Sequence, residues 1–478
     1  MNLWLTPKNP TIRLGTYGPP FLGFPFLLKR PWVNTHKHVQ GLTGQGKSKL
    51  LASVFVQLLN QGVGCSLIDP HSDLATDCLS MLIDNGFFRR PDAFQKLLYI
   101  DFSRQDRFLP FNVLKQPYDD HSIARNMVEV CKRAWSALAD GAAPQFENIT
   151  LASTLALVQN DLPLTTLPKL LTNKPYREKL LQNVRDPNVV EFFHTRFDQW
   201  GREAPLMIES TLRRIFLLTF SPVLRYTLGQ RENVLDFRKL MDTGTSVIFN
   251  LGGLDEDTQR FLGCLLTVGY EVAALSRADL PERQRRTHHL ILDEFSMFSA
   301  QSEEALARVL SLARKYGLFL ALAHQTWSQI SQHLQGALQN CVHIAFKLGH
   351  DDAAWAAPRF GSLAFDPYTV KHQVQDEYAV ERTHPVFFSI PEVFQNWTQA
   401  LETLNPREAY VKLDSKTVKV RTPYVPPPRC SRAQIEEITD RYAQMLMTAI
   451  DSTVSRIDQP ITPTAQHTIY RRVPINHP

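Results

Sequence analysis

Short apolar runs alternate with helix-spaced stretches through the first hundred residues of the chain and again through its second half. Lys37-His38-Val39-Gln40 reads as a short strand, and KLLASVFVQLL (49–59) as the helix that follows it. Two further apolar runs, 63–69 and 97–101, each end in a carboxylate, Asp69 and Asp101. Strands return at 246–251, 289–293, 318–323, 342–347 and 408–413. Apolar runs of this length, spaced by helical segments, predict an α/β fold with a mainly parallel sheet covered on both faces.

Between 118 and 232 the strand signal vanishes. Segments 122–131 and 209–218 carry apolar residues at helical spacing, which predicts an inserted all-helical domain. The sheet domain then comprises 35–117 and 233–425, preceded by an N-terminal segment, 1–34. Within that segment PFLGFPFLL (20–28) is apolar but interrupted by proline, and it is expected to pack on the chain's own surface. Val425-Pro426-Pro427-Pro428 reads as a stiff linker. Region 426–478 then holds one helix over about 431–451 and a polar tail, expected to be mobile beyond about 455.

The length of 478 residues allows two or three domains. A net charge of +5, dispersed along the chain, does not indicate a strongly basic nucleic-acid-binding fold, and the cluster Arg283-Gln284-Arg285-Arg286 reads as a solvated loop. The six cysteines have no CxxC spacing, which points to reduced, mostly buried thiols in a cytoplasmic protein with no zinc site. The first residues lack the pattern of a secretory leader, and no apolar run approaches the ~20 residues of a membrane span.

The chemistry is concentrated at the end of the first strand. Gly41-Leu42-Thr43-Gly44-Gln45-Gly46-Lys47-Ser48 fits the phosphate-loop pattern GxxxxGK[ST] at every fixed position. Its glycines let the backbone curl so that N–H groups of Thr43, Gly44, Gln45 and Gly46 point at phosphate oxygens. Lys47 is placed to reach the β- and γ-phosphates, and the Ser48 hydroxyl to ligate Mg²⁺. The helix that follows adds its N-terminal dipole to the anion site. The loop therefore predicts binding of a nucleoside triphosphate, ATP with Mg²⁺.

Hydrolysis needs carboxylates, and the strand 289–292 delivers Asp293 and Glu294. Asp293 is the expected Mg²⁺-shell ligand and Glu294 the base that orients and deprotonates water. The next strand ends at His324-Gln325, where the Gln325 amide can meet the γ-phosphate or the water. His324 reads as a strand-end hydrogen-bonding residue. Arg314, at the end of the preceding helix, reads either as a finger for a neighbouring subunit's site or as a surface ion-pairing residue.

The ordered runs GLTGQGKS, LIDPHSDL, LILDEFSMF and ARKYGLFLALAHQ resemble the hexameric ATPases of the HerA/FtsK class. Within that class the chain is most similar to the TraG/TraD-like coupling proteins of type IV secretion and conjugation, over roughly residues 35–425. The resemblance implies a RecA-like P-loop domain with an inserted all-α domain, a homo-hexamer with ATP sites between neighbours, and DNA passing through or against the ring. It assigns Lys47 and Ser48 to the phosphate loop, Asp293 and Glu294 to the second acidic motif, Gln325 to the sensor and Arg314 to the in-trans arginine. Membrane-bound coupling proteins carry an N-terminal transmembrane hairpin not seen here, so a membrane or relaxosome partner is expected to supply docking. Two other readings stay open: a HerA-like helicase of repair or phage defence, and a nucleotide-gated adaptor for a relaxosome or effector protein.

Overall fold

The computed structural model describes the chain except for residues 1–9, 20–22, 136–142, 200–210, 213, 300–302, 328–329, 331, 362–369, 376–382, 415 and 458–478. The described chain forms two compact units, one of residues 1–103 with 237–442 and one of 104–236 with 443–478.

In chain order the strands are β1 (Ile12–Tyr17), β2 (Phe24–Leu28), β3 (Lys37–Gln40), β4 (Gly64–Asp69), β5 (Leu97–Asp101), β6 (Arg107–Phe108), β7 (Ser246–Asn250) and β8 (His288–Leu292). They continue as β9 (Leu318–His324), β10 (Val342–Ala345), β11 (Val370–Gln375), β12 (Thr383–Phe387), β13 (Glu408–Leu413), β14 (Lys416–Arg421) and β15 (Thr448–Ala449).

The first unit is built on an eleven-stranded sheet of order β2-β1-β14-β13-β10-β3-β9-β8-β4-β7-β5. From β10 to β5 every pairing is parallel, and from β10 outward to β2 every pairing is antiparallel. All residues of β3, β4, β7, β8, β9 and β10 are buried, as strands covered on both faces must be. The parallel core strands stand where the apolar runs place them. The antiparallel wing was harder to read: β1 and β14 alternate with exposed positions, and β2 lies at the edge with Phe24 and Leu27 exposed.

Helix α1 (Lys47–Asn60) buries Leu50, Leu51, Val54, Phe55 and Leu58. It also holds the start of β1 by side-chain amides. Gln57 accepts from Arg13 N–H at 2.8 Å and donates to its carbonyl at 3.0 Å, and Gln61 does the same to Thr11 at 3.0 and 2.7 Å. A further helix, Glu256–Ser276, which the sequence reading did not single out, packs between β7 and β8 in the chain. It is the one described helix long and apolar enough to cross a membrane, and 72% of its apolar window is buried inside the protein.

The second unit is largely helical. Asp120–Ala134, capped by Asp119 accepting from Ser122 N–H, packs on Ala143–Gln159. A π-helical turn, Phe192–Phe197, follows Pro187–Glu191. The predicted segment 209–218 lies partly outside the described residues, and Leu217–Phe220 is helical. The C-terminal region departs from the single helix expected over 431–451. A helix Arg432–Leu446 ends, β15 pairs antiparallel with β6 (Thr448 opposite Phe108), and a second helix runs Ile450–Ile457. That strand pairing overrides the helical periodicity. The tail beyond 457 lies outside the described residues.

The basic cluster is not a solvated loop throughout. Arg285 donates to the carbonyls of Arg277, Leu280 and Lys315, and Arg286 to that of Thr243, so both side chains tie loops together.

Candidate nucleotide site

The carboxyl end of β3 runs straight into the phosphate loop. Gly41, Gly44 and Gly46 have φ of 153°, 78° and 109°, conformations that disfavour side chains. A Cβ on Gly41 would stand 2.7 Å from Cβ of Phe346, so the first glycine is fixed by packing as well. Lys47 curls back over the loop, donating to the carbonyls of Gly41 at 2.5 Å and Leu42 at 3.1 Å. Burial holds its ammonium below the usual lysine pKa, with Glu294 and Asp293 opposing the shift.

Parallel register places the other motifs at the same edge. β8 ends at Leu292, delivering Asp293 and Glu294, and β9 ends at His324, delivering Gln325. The Ser48 hydroxyl donates to Asp293 Oδ2 at 2.9 Å. Thr43 Oγ1 donates to Gln325 Oε1 at 3.1 Å, and Gln325 Nε2 lies 3.5 Å from Glu294 Oε2. Thr43, Gly44, Gly46, Lys47, Ser48, Asp293, Glu294 and Gln325 all line one cleft of about 550 Å³. Gln45 belongs to the loop but turns its backbone carbonyl to the N–H of Arg407.

Glu294 has φ of 52°, a left-handed conformation that costs a non-glycine residue about 1–2 kcal/mol. Burial raises its carboxyl pKa above the usual value, the Gln325 hydrogen bond opposes that, and the Asp293 charge adds to it. The strain and the shift fall on the same residue, as at sites where geometry serves chemistry.

The cleft also holds residues that the sequence reading left without a role. Asp69 is fully buried and accepts from the N–H groups of His71 and Ala75, which fixes the turn into α2 (Asp73–Asp84) and brings His71 to the cleft. Lys49 and Asp77 pair at 2.6 Å on its rim. The signal for Asp69 and His71 was present in LIDPHSDL, where a carboxylate closes a strand.

Of the predicted residues, Gly41 and Gln45 belong to the loop without lining this cleft, and Arg314 lies away from it altogether. It is exposed in the turn before β9, whereas Gln325 follows the other end of that strand. Seven residues of strand separate the two ends by about 23 Å. Arg314 therefore cannot touch the phosphates held by its own chain.

Beneath the loop, three buried imidazoles span adjacent strands. His324 Nδ1–H donates to the Thr326 carbonyl at 3.0 Å, leaving Nε2 to accept from His38 Nε2–H at 2.6 Å. His38 Nδ1 then accepts from His343 Nδ1–H at 3.1 Å. One set of tautomers satisfies all three contacts. Burial lowers the pKa of His324 and of His343 to about 4 and that of His38 well below its ordinary value.

A family model for the DNA-binding domain of type IV secretion-system coupling proteins matches residues 24–343, more than half of the chain. The chain belongs to that family. No curated protein sequence matches it. Among solved structures, this coupling protein is similar to the bacterial conjugative coupling protein TrwBdeltaN70, at 17% identity and a TM-score of 0.57 over 88% of this chain and 95% of that one. TrwB in complex with ADP and Mg²⁺ gives 18% identity and a TM-score of 0.54, over 84% and 88%. VirB4 of Thermoanaerobacter pseudethanolicus gives 13% identity and a TM-score of 0.53, over 89% and 98%. At these identities the likeness is one of fold: a mainly parallel P-loop sheet domain with a helical unit. The coupling-protein resemblance read in the motifs and the α/β fold class both hold.

Proposed function

We propose that this coupling protein hydrolyses ATP and uses the cycle to move DNA. The observation that carries the reading is the convergence of Ser48, Asp293, Glu294 and Gln325 on one cleft at the phosphate loop. Turned toward a triphosphate, Lys47 supplies a cation for its terminal phosphates. Ser48 Oγ and Asp293 supply hydroxyl and carboxylate oxygens, the hard donors that suit Mg²⁺. Bound there, Mg²⁺ would neutralise developing phosphate charge. TrwB has been solved with an ATP analogue and with ADP and Mg²⁺, and we extend that ligand class to this chain.

Glu294 takes the proton of the attacking water, and its raised pKa brings it closer to the basicity that task needs. Gln325, held between Thr43 and Glu294, orients that water. Arg314 acts on a neighbour's site, which a homo-hexameric ring would bring alongside. DNA contact is to the backbone and sequence-independent. We place the protein in the cytoplasm, with a membrane or relaxosome partner, and read the helical insertion at 118–232 as the recognition surface. ATPase activity with and without single- and double-stranded DNA tests the reading.

A further inference from the structure

Gln325 leaves β9 in a bend, and the chain just beyond it is fixed twice. His324 Nδ1–H donates to the Thr326 carbonyl at 3.0 Å. The Trp327 N–H then donates to Asp352 Oδ1 at 3.1 Å, across 25 positions of sequence. Trp327 itself is buried. Its ring centre lies 4.9 Å from that of His38 and 5.3 Å from that of His324, and the Trp355 ring packs against it. His324 also meets the ring of the fully buried Phe295, whose N–H donates to the Ala323 carbonyl at 3.0 Å. Phe295 follows Glu294, so the general base and the amide of the site rest on one cluster of buried rings.

Asp352 and Trp355 come from the helix His350–Gly361, which packs on Ile390–Glu402 through Ala353, Ala356, Phe360 and Leu401. Asp351 and Asp352 both stand in its first turn, where the helix dipole favours carboxylates. Asp351 is exposed, whereas Asp352 turns an oxygen to Trp327. We propose that Asp352 is a positioning residue for Gln325: its carboxylate holds the Trp327 N–H and sets how Gln325 leaves β9, so that hydrolysis depends on where the helix His350–Gly361 stands. The inference rests on the hydrolytic reading above. Gln325 Nε2 lies 3.5 Å from Glu294 Oε2, the outer limit of a hydrogen bond, so a shift of about 1 Å in the bend separates them. Lys47 and Ser48 stand on α1 and do not depend on the bend. Loss of the Asp352 contact therefore falls on turnover and spares nucleotide binding.

The test measures kcat, ATP affinity with Mg²⁺ and melting temperature for the full chain and for Asp352→Ala, Asp352→Asn and Asp351→Ala. Asp352→Ala is expected to lower kcat about tenfold with ATP affinity unchanged. Asp352→Asn keeps a carbonyl oxygen for the Trp327 N–H and should retain most of the parent turnover. Asp351→Ala, which removes a charge from the same helix end, should behave as the parent. In a Gln325→Ala background, Asp352→Ala should cost nothing further, because its effect passes through the amide. Parent-like kcat in Asp352→Ala, affinity falling together with kcat, Asn no better than Ala, or the same tenfold loss without Gln325 would each overturn the proposal while leaving the hydrolytic reading in place. A parent chain that does not hydrolyse ATP removes that reading itself, and the role of Asp352 with it.

Discussion

The Ser48 hydroxyl donates to the Asp293 carboxylate at 2.9 Å, joining two sequence motifs 245 positions apart. Neither residue marks a hydrolysis site alone. Their contact exists because β3 and β8 flank β9 in one parallel sheet and all three end at the same edge.

Removing the lysine that curls over the loop should remove binding. Lys47→Ala is expected to lower ATP affinity at least a hundredfold by calorimetry, with thermal stability changed little. Parent-like hydrolysis in that variant would end the site assignment.

Glu294→Gln should bind ATP and turn it over at least a hundredfold more slowly. The parent carries the matching pH signature. Because burial raises the Glu294 pKa, the base protonates and activity falls at a higher pH than for an ordinary glutamate. Single-turnover rates across pH read that limb directly, and a limb at the usual carboxylate value would take Glu294 out of the proton transfer.

Arg314 lies about 23 Å of strand from its own Gln325, so any action on a nucleotide would have to cross an interface. Arg314→Ala and Glu294→Gln chains, each inactive alone, should recover measurable turnover when mixed. No recovery at any ratio, in assemblies shown by mass to be mixed, would assign Arg314 to the surface.

The imidazole row makes the fold acid-sensitive. His324 and His343 titrate at about 4 when folded against about 6.5 unfolded, so the unfolded chain binds more protons between those values. Stability is full above pH 6.5 and falls as pH drops toward 4, by up to about 1.4 kcal/mol per pH unit for each histidine. Melting temperature against pH checks this. His38→Phe should cost about 3 kcal/mol at neutral pH, since it strands His324 Nε2 and the His343 Nδ1–H.

The parallel core was legible because most of its strands are apolar runs, and β4, β5, β7, β8 and β9 close on a carboxylate or amide at the edge where ligands collect. The phosphate loop and the strand-end motifs around Asp293 and Gln325 were legible for the same reason. Of the antiparallel wing only β13 was legible: β1 owes its place partly to Gln57 and Gln61 of a helix distant in sequence, and no local pattern encodes that. Arg407 was missed likewise, since its bond to Gln45 spans most of the chain. The break after Leu446 depends on β15 finding β6, a pairing that helical periodicity hides.

The central claim is that hydrolysis at this cleft is coupled to DNA. ATP turnover by the purified full chain, measured with no nucleic acid, with single-stranded and with double-stranded DNA while particle mass is recorded, tests it most directly. Turnover is expected to be stimulated at least tenfold by one form of DNA in a ring-sized assembly, and abolished in Glu294→Gln. Turnover indifferent to DNA, or persisting in Glu294→Gln, would contradict it.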